Sequence, residues 1–239
     1  IFIDADRIWH LACPASPSTY KLDPINTSKT SFLGTLNMLE LAEKLKIKIF
    51  HASTSEVYGN PKEHPQSESY WGFVNPIGER ACYNESKRMA ESLCLDFKRK
   101  FNTDVCIARI FNTYGPKMAP NDGRVISNFV VQALKSKPLT VYGSGNQTRS
   151  FCYVEDLISG MSKLMEASYY YPINLGNPQE IEINQLAKMI KNIINPKLEI
   201  LYESIPLDND AAQRRMPEIK LAREISVSYT HLRAHETLN

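Results

Sequence analysis

The sequence predicts an α/β fold with a doubly wound, parallel sheet and a smaller, mixed second lobe. Three short apolar runs, at residues 7–12, 47–53 and 105–110, have the length and composition of buried strands. Two long stretches with helical periodicity, at about 24–45 and 77–101, separate these runs. Strands that alternate with helices in this way run parallel and are joined by right-handed crossovers.

The remaining elements follow from local signals. Asp23 and Pro24 predict the start of the first helix, because an N-cap residue precedes proline at the first helical position. Residues 57–75 are rich in Pro, Gly, Ser and Asn and predict a long loop. Beyond Gly115-Pro116 we predict a helix near 124–136, a strand at 139–143, a helix from about 154, a strand at 172–176 and a helix near 183–194. This later part is expected to thread back into the sheet.

Composition excludes several classes of protein. The chain of 239 residues has a net charge of +2 and 43% hydrophobic residues, which indicates neither a nucleic-acid-binding nor an acidic disordered protein. No run of about 18 apolar residues predicts a membrane span. The five cysteines are odd in number and form no C-x-x-C pair, so we expect reduced thiols in a cytoplasmic setting and no zinc site.

The segment "ACYNESKRMAE" places Tyr83 and Lys87 one helical turn apart. The same spacing occurs at Tyr58 and Lys62, but Gly59 and Pro61 put that pair in a loop. By spacing alone, a solvated pair on one helix face is the default interpretation. In a cleft, the lysine ammonium together with a cationic nicotinamide ring would lower the pKa of the phenol, which could then accept a proton from a sugar hydroxyl.

Further polar side chains follow the predicted strands, whose carboxyl ends form the ligand-binding edge of such a sheet. Thr54 and Ser55 could hydrogen-bond a substrate, and burial would raise the pKa of Glu56 and make it an acid or a base. The alternative is a capped strand end with an exposed glutamate. Three dispersed arginines suit phosphate oxygens or the surface: Arg124, Arg149 and Arg215. His10, His51 and His64 share no metal-ligand spacing, and the first two are expected in the core.

The motifs taken together resemble the extended short-chain dehydrogenase/reductase superfamily, and within it the UDP-glucuronate decarboxylases, over about residues 7–225. The resemblance rests on "HLACPASP", "KTSFLGTLNMLELA", "STSEVYG", "YWGFVNPIGERACYNESKR", "ARIFNTYGP", "NDGRVISNF", "LTVYGSGNQTRSFCYVEDL" and "NLGNP", which occur in this order. Tyr-x-x-x-Lys is generic to the superfamily. The triplet "TSE" is more specific, because related dehydratases usually have an Asp-Glu pair in place of Ser55-Glu56.

The resemblance implies NAD-dependent oxidation of UDP-glucuronate at C4, loss of the C5 carboxylate as carbon dioxide, and re-reduction at C4 to UDP-xylose. It implies that Tyr83 is the base, that Lys87 tunes it and binds a ribose hydroxyl, and that Thr54 and Ser55 position the C4 oxygen. Glu56 would assist at C5. The implied NAD site comprises Leu11, Cys13, Thr30, Ala52, Tyr83, Lys87 and Thr113. The implied substrate site comprises Asn112, Arg149 and Arg215 at the diphosphate, Val125, Asn128 and Tyr142 at the uridine, and Arg124 near either ligand.

The resemblance also implies an organisation and a partner. Residues 1–115 and about 147–177 would form a partial NAD-binding Rossmann domain, residues of about 116–146 and 178–225 a UDP-sugar-binding lobe, and 226–239 a tail outside the family pattern. The helices at about 24–45 and 77–101 would form a homodimer interface. A 4,6-dehydratase or 4-epimerase of nucleotide sugars is the alternative enzyme, and a non-catalytic UDP-sugar-binding or dimerisation module is the alternative for this chain alone.

Two departures from the family pattern stand out. The family begins with a strand, a glycine-rich turn and an acidic residue that binds the adenosine ribose, and this sequence contains none of them. We therefore expect a sheet without its first strands, and residues 1–239 alone to bind NAD poorly and to be inactive. Asp210 is followed by Ala211 and Ala212 where the family usually has Asp-Asp-Pro, so the loop before Arg215 departs from the pattern.

Overall fold

The computed structural model describes residues 4–204, 212 and 214–225. The predicted tail at 226–239 and the departure at 210–211 lie outside the described residues. The helices are α1 (Pro17–Tyr20), α2 (Pro24–Leu45), α3 (Ala81–Phe101), α4 (Val125–Leu134), α5 (Val154–Glu166), α6 (Ile183–Ile194) and α7 (Lys220–Glu224). The strands are β1 (Arg7–His10), β2 (Lys48–Thr54), β3 (Val105–Ile110), β4 (Thr113–Tyr114), β5 (Leu139–Tyr142), β6 (Thr148–Ser150), β7 (Cys152–Tyr153), β8 (Pro172–Leu175), β9 (Glu180–Glu182), β10 (Ile200–Glu203) and β11 (Arg214–Arg215).

The main sheet has four parallel strands in the order β1-β2-β3-β8. On one face α2 and α3 pack over a core that includes Leu39, Cys94 and Ile107. On the other face α5 packs over Phe50 and Ile173. This three-layer arrangement confirms the predicted doubly wound class, and the pairing of β8 with β3 confirms that the later part of the chain returns to the sheet.

The two long helices start for different local reasons. The carboxylate of Asp23 accepts the Asn26 N–H at 2.9 Å, and proline occupies the first turn, so α2 begins where the sequence predicts. Helix α3 begins at Ala81, four residues later than predicted. Residues 76–80 form turns instead, and the Ala81 N–H bonds to the carbonyl of Gly78 at 2.9 Å.

A second core lies between α4, α6, β5 and β10. Its fully buried side chains include Phe129 and Leu139. A separate three-stranded sheet, in the order β11-β6-β9, carries Arg149 and Arg215 on adjacent, parallel strands. Two cores agree with the predicted second lobe, while the exact division of the chain into two lobes stays a prediction.

The predicted long loop follows β2, after a 3-10 turn at Ser55–Tyr58. It contains no helix or regular strand between 59 and 75. Two backbone bonds hold it: the Asn60 N–H donates to the Phe73 carbonyl at 3.0 Å, and the Phe73 N–H donates to the Tyr58 carbonyl at 2.9 Å. Gly59 has φ 63, and a β-carbon there would lie 2.1 Å from the Phe73 carbonyl oxygen. Among the described residues, no helix has the length and apolar character needed to cross a membrane.

Candidate active site

A cavity of about 660 Å³ opens at the carboxyl ends of β2 and β3, the edge at which the sequence places the ligand. This volume is typical of small-molecule sites. Nearly all of the predicted site residues line it: Leu11, Cys13, Ala52, Thr54, Ser55, Glu56, Tyr83, Lys87, Asn112, Thr113, Arg124, Val125, Asn128, Tyr142, Arg149 and Arg215. Thr30 is the exception, because it lies half-buried on α2 and does not line the cavity.

Tyr83 and Lys87 lie on the buried face of α3. Their exposures are 5% and 3%, which excludes a solvated pair on an outer helix face. The Lys87 Nζ donates to the Ala52 carbonyl at 2.7 Å, at the end of β2. The ring of Tyr20 stacks on Tyr83 with centroids 5.0 Å apart and planes 1° apart. These contacts fix both side chains at the floor of the cavity.

The pKa values of this pair are set mainly by burial. Burial raises the pKa of Tyr83 well above its ordinary value, and a hydrogen bond with Thr54 opposes the rise. Burial also lowers the pKa of Lys87. Burial sets the upward net direction for Tyr83, and the lowering of its pKa expected from Lys87 together with a cationic nicotinamide ring stays a prediction. The Thr54 hydroxyl oxygen accepts the Glu56 N–H at 3.2 Å. The hydroxyl proton of Thr54 is therefore available for donation to the phenol oxygen of Tyr83.

Glu56 lies in the 3-10 turn and faces arginines. Both carboxylate oxygens are bonded by Arg215, and the Arg80 Nη2 lies 3.1 Å from Oε1. Burial raises the pKa of Glu56, but the charges of Arg215, Arg80 and Arg149 outweigh it and hold the pKa at about 2. The expectations of a raised pKa and of an exposed glutamate are therefore both wrong. At neutral pH, Glu56 is an ionised, ion-paired carboxylate.

The arginines give this wall of the cavity an excess of positive charge. Arg149 donates to the carbonyls of Thr148 and Ala212 at 2.7 and 2.6 Å, and burial and the charge of Arg215 lower its pKa to about 10. Arg124 lies nearer the rim and pairs with Asp122, with Nη2 2.8 Å from Oδ2. A basic wall of this kind suits a ligand with several negative charges.

Arg80 and Tyr20 are among the residues that line the cavity without having been predicted from the sequence. Arg80 is 8% exposed and precedes α3, three residues before Tyr83. That spacing places it near the same face, so a wider search around the Tyr-x-x-x-Lys motif could have found it. Tyr20 is only 1% exposed and lies in the short helix α1. No pattern in the sequence points to its stacking partner.

Three other polar residues of the cavity form hydrogen bonds that stabilise the segments in which they lie. The Asn112 carbonyl accepts the Cys152 N–H at 2.9 Å, and the Thr113 hydroxyl donates to the Phe111 carbonyl at 3.0 Å. The Asn128 amide donates to the Gly123 carbonyl at 3.0 Å. Tyr142 is 42% exposed at the mouth. Their side chains therefore border the cavity from structured segments.

The described part of the chain contains no group of three or more His, Cys, Asp or Glu residues that could hold a metal ion. His10 and His51 are buried, as predicted. The His10 Nε2 lies 2.9 Å from the Thr35 hydroxyl, and burial lowers its pKa to about 4. Neither ring nitrogen of His51 has a hydrogen-bond partner among the described residues, so only His10 is a satisfied core histidine.

Comparison with known sequences identifies relatives. The chain is 53% identical over 225 residues to UDP-glucuronic acid decarboxylase 4 of Arabidopsis thaliana, a match that covers 94% of this chain and 50% of that protein. It is also 53% identical over 226 residues to decarboxylase 3 of the same plant, of which it covers 65%. The identity to UDP-glucuronic acid decarboxylase 1 of Xenopus tropicalis is 53% over 223 residues, which cover 93% of this chain and 52% of that protein. The chain thus spans half to two thirds of the length of these relatives.

Solved structures and a family model agree on the class. The UDP-glucuronic acid 4-epimerase of Bacillus cereus, in complex with UDP-glucuronic acid and NAD, matches with a TM-score of 0.82 and 27% identity over 95% of this chain and 71% of that chain. A UDP-N-acetylglucosamine 4-epimerase of Methanobrevibacter ruminantium matches with a TM-score of 0.90 at 24% identity, over 98% of this chain and 74% of that chain, which shows the shared fold. A model described as GDP-mannose 4,6 dehydratase matches residues 2–226. The chain therefore belongs to this family, within the extended short-chain dehydrogenase/reductases.

Proposed function

We propose that the protein converts UDP-glucuronate to UDP-xylose and carbon dioxide with NAD as cofactor. The observation that carries this proposal is one cavity that joins a buried phenol, Tyr83, to a carboxylate, Glu56, held among arginines. A phenol in its ionised form can take a proton from a hydroxyl. The arginines suit the negative charges of a sugar acid and its diphosphate. The 53% identity to UDP-glucuronic acid decarboxylases supports the same substrate.

The residues of the cavity fit the nicotinamide half of NAD. Leu11 and Ala52 offer apolar surface at the carboxyl edge of the sheet, where dinucleotides bind in this class of fold. The buried Lys87 ammonium, one turn from Tyr83, can donate to ribose hydroxyls. When bound, NAD+ would accept a hydride from C4 of the sugar and later return it.

Tyr83 would accept the proton of the C4 hydroxyl in its phenolate form, which Lys87 together with the positive charge of bound NAD+ would favour. The Thr54 hydroxyl is hydrogen-bonded to Tyr83 and would donate to the phenol oxygen when that oxygen carries negative charge. Oxidation at C4 makes the carboxylate on C5 β to a ketone, so it can leave as carbon dioxide while its bonding electrons pass into an enolate. The enolate would take up a proton at C5, and the hydride would return to C4 as Tyr83 returns its proton to the C4 oxygen. Glu56 is ionised at neutral pH, so its proposed role is to hold Arg215 and Arg80 toward the sugar and not to act as a neutral acid.

Two finer proposals concern assembly and compartment. We propose a homodimer through α2 and α3, supported by exposed apolar side chains on both helices, among them Leu33 at 45% and Met89 at 47%.

We also propose a cytoplasmic location, supported by the five free cysteines, since disulfides are typical of oxidising compartments.

One assay tests the proposed reaction and its nearest rival. The full-length protein that contains residues 1–239 is incubated with UDP-glucuronate and NAD+, and the carbon dioxide and nucleotide sugars formed are measured. Carbon dioxide with UDP-xylose is the expected result. The rival is 4-epimerisation, favoured by the structural match to a UDP-glucuronic acid 4-epimerase. A newly formed UDP-sugar other than UDP-glucuronate that keeps its carboxylate, with no release of carbon dioxide, would replace the decarboxylase proposal with the epimerase proposal.

A further inference from the structure

Arg215 reaches Glu56 from a short strand that needs external support. Strand β11 is only two residues long, and on one side it pairs with β6, with Arg215 opposite Arg149. The guanidinium Nη2 also donates to the Gly59 carbonyl at 3.3 Å. Two residues of strand cannot by themselves fix a long side chain. The backbone that follows Arg215 must therefore be held from its other side.

Gln66, in the long loop after β2, supplies that support. It is fully buried. Its backbone N–H donates to the Met216 carbonyl at 2.9 Å, and its side-chain oxygen accepts the Met216 N–H at 3.0 Å. Its backbone carbonyl accepts the Glu218 N–H at 2.8 Å. Gln66 thus bonds the backbone N–H and the backbone carbonyl of Met216, the residue next to Arg215, and also the backbone N–H of Glu218 two positions further on.

Gln66 is itself tied to the main sheet. Its side-chain amide donates to the Glu63 carbonyl at 2.7 Å, which fixes the orientation of the side chain. Asn174, on β8, donates through Nδ2 to the carbonyls of Gln66 and Glu218 at 2.9 and 3.1 Å. Asn174 is fully buried, and its oxygen accepts the Tyr58 hydroxyl at 2.7 Å. The support for Arg215 therefore extends from a rigid strand through Gln66.

We propose that Gln66 is a positioning residue that sets the reach of Arg215 toward Glu56, and thereby the geometry of the basic wall. This proposal rests on the proposed function, because Arg215 is taken to act on the substrate. Gln66 does not line the cavity and acts only through Arg215. A misplacement of about 1 Å in a positioned group can cost roughly 100-fold in rate.

A double-mutant cycle tests this proposal. Gln66→Met keeps the volume of the side chain and removes both of its hydrogen bonds, and Arg215→Met removes the group that it positions. We expect Gln66→Met alone to lower the rate of carbon dioxide release by about tenfold or more. In the Arg215→Met background it should lower the rate less than about twofold, since nothing is left to position. Equal losses in both backgrounds would overturn the proposal.

A matched control separates positioning from stability. Gln132 makes the same kind of bond elsewhere, because its side-chain oxygen accepts the Thr140 N–H at 3.1 Å. We expect the effect of Gln132→Met on the rate to be the same with and without Arg215. Gln66→Glu keeps an oxygen for the Met216 N–H, and we expect it to recover most of the activity that Gln66→Met loses, although a buried charge makes it less stable. If the loss of activity in Gln66→Glu is instead as large as its loss of stability predicts, the result would contradict a positioning role for Gln66.

The readout also separates this proposal from the proposed function. If the full-length protein releases no carbon dioxide from UDP-glucuronate, the proposed function fails, and the same cycle is measured in the Kd of UDP-glucuronate by titration calorimetry. Coupling between Gln66 and Arg215 in that Kd keeps the positioning proposal. Additive effects there would overturn it. If Arg215→Met does not fold, as judged by thermal unfolding, Arg215→Gln takes its place in the cycle.

Discussion

Arg215 and Glu56 lie 159 positions apart in the sequence and form a two-point ion pair in the wall of the cavity. The Nη2 of Arg215 lies 3.2 Å from Oε2, and Arg80 contacts the same carboxylate at 3.1 Å. The charge of Arg149 also acts on Glu56. One buried anion is therefore surrounded by three cations, so the wall retains positive charge for an anionic ligand.

The first prediction concerns the pH dependence of stability through Glu56. Its pKa in the folded chain is about 2, below the ordinary 4.5, so its stabilising effect is complete above about 4.5 and is lost as the pH falls toward 2. At neutral pH we expect Glu56→Gln to lower the free energy of unfolding by on the order of 3 kcal/mol. Denaturant unfolding of both proteins, from neutral pH down to about pH 3, measures the difference. A difference that stays constant over this range would contradict the ion-pair assignment.

The second prediction concerns Tyr83. Tyr83→Phe removes the proposed proton acceptor and keeps the ring that stacks on Tyr20. We expect the rate of carbon dioxide release to fall by roughly 10²- to 10⁴-fold, with the thermal unfolding temperature little changed. Tyr202→Phe is the control, because it removes an exposed hydroxyl outside the cavity and should leave the rate unchanged. Activity of Tyr83→Phe near that of the control would remove Tyr83 from the mechanism.

How much of this site the sequence predicts depends on how local each signal is. The Tyr83–Lys87 spacing, the cap at Asp23 and the strand ends are local, and the structure brings their residues to one edge of the sheet. The pKa of Glu56 is not local, because its direction is decided by Arg215, which no spacing rule connects to it. Strands of two residues, such as β11, are likewise too short to show the alternation of apolar and polar residues that predicts a strand.

The third prediction sets stability against activity at Lys87. Burial lowers the pKa of this lysine, so the folded state disfavours its charged form. We therefore expect Lys87→Met to raise the free energy of unfolding at neutral pH. The gain should shrink as the pH rises from the lowered pKa toward the ordinary 10.5, where the unfolded lysine also loses its proton. Denaturant unfolding at several pH values checks this expectation.

The same variant should lose activity, because Lys87 is proposed to bind the cofactor ribose and to lie beside the reacting phenol. Lys62→Met is the matched control, since Tyr58 and Lys62 have the same spacing in the long loop and Lys62 is exposed. We expect the control to change neither the rate of carbon dioxide release nor the stability at neutral pH by a large factor. A stable, fully active Lys87→Met protein would show that the buried lysine has only a structural role.

The last prediction concerns the proposed dimer. Leu33, on α2, is 45% exposed beside the helix α3, whose Met89 is 47% exposed. Helix faces with such apolar side chains typically bind another protein surface, and a charge placed there would have to be buried unpaired. We expect Leu33→Glu to shift the protein from dimer to monomer in light scattering, whereas Leu134→Glu, at a 69% exposed position on α4, should leave the dimer intact. A Leu33→Glu protein that stays dimeric at micromolar concentration would place the interface elsewhere.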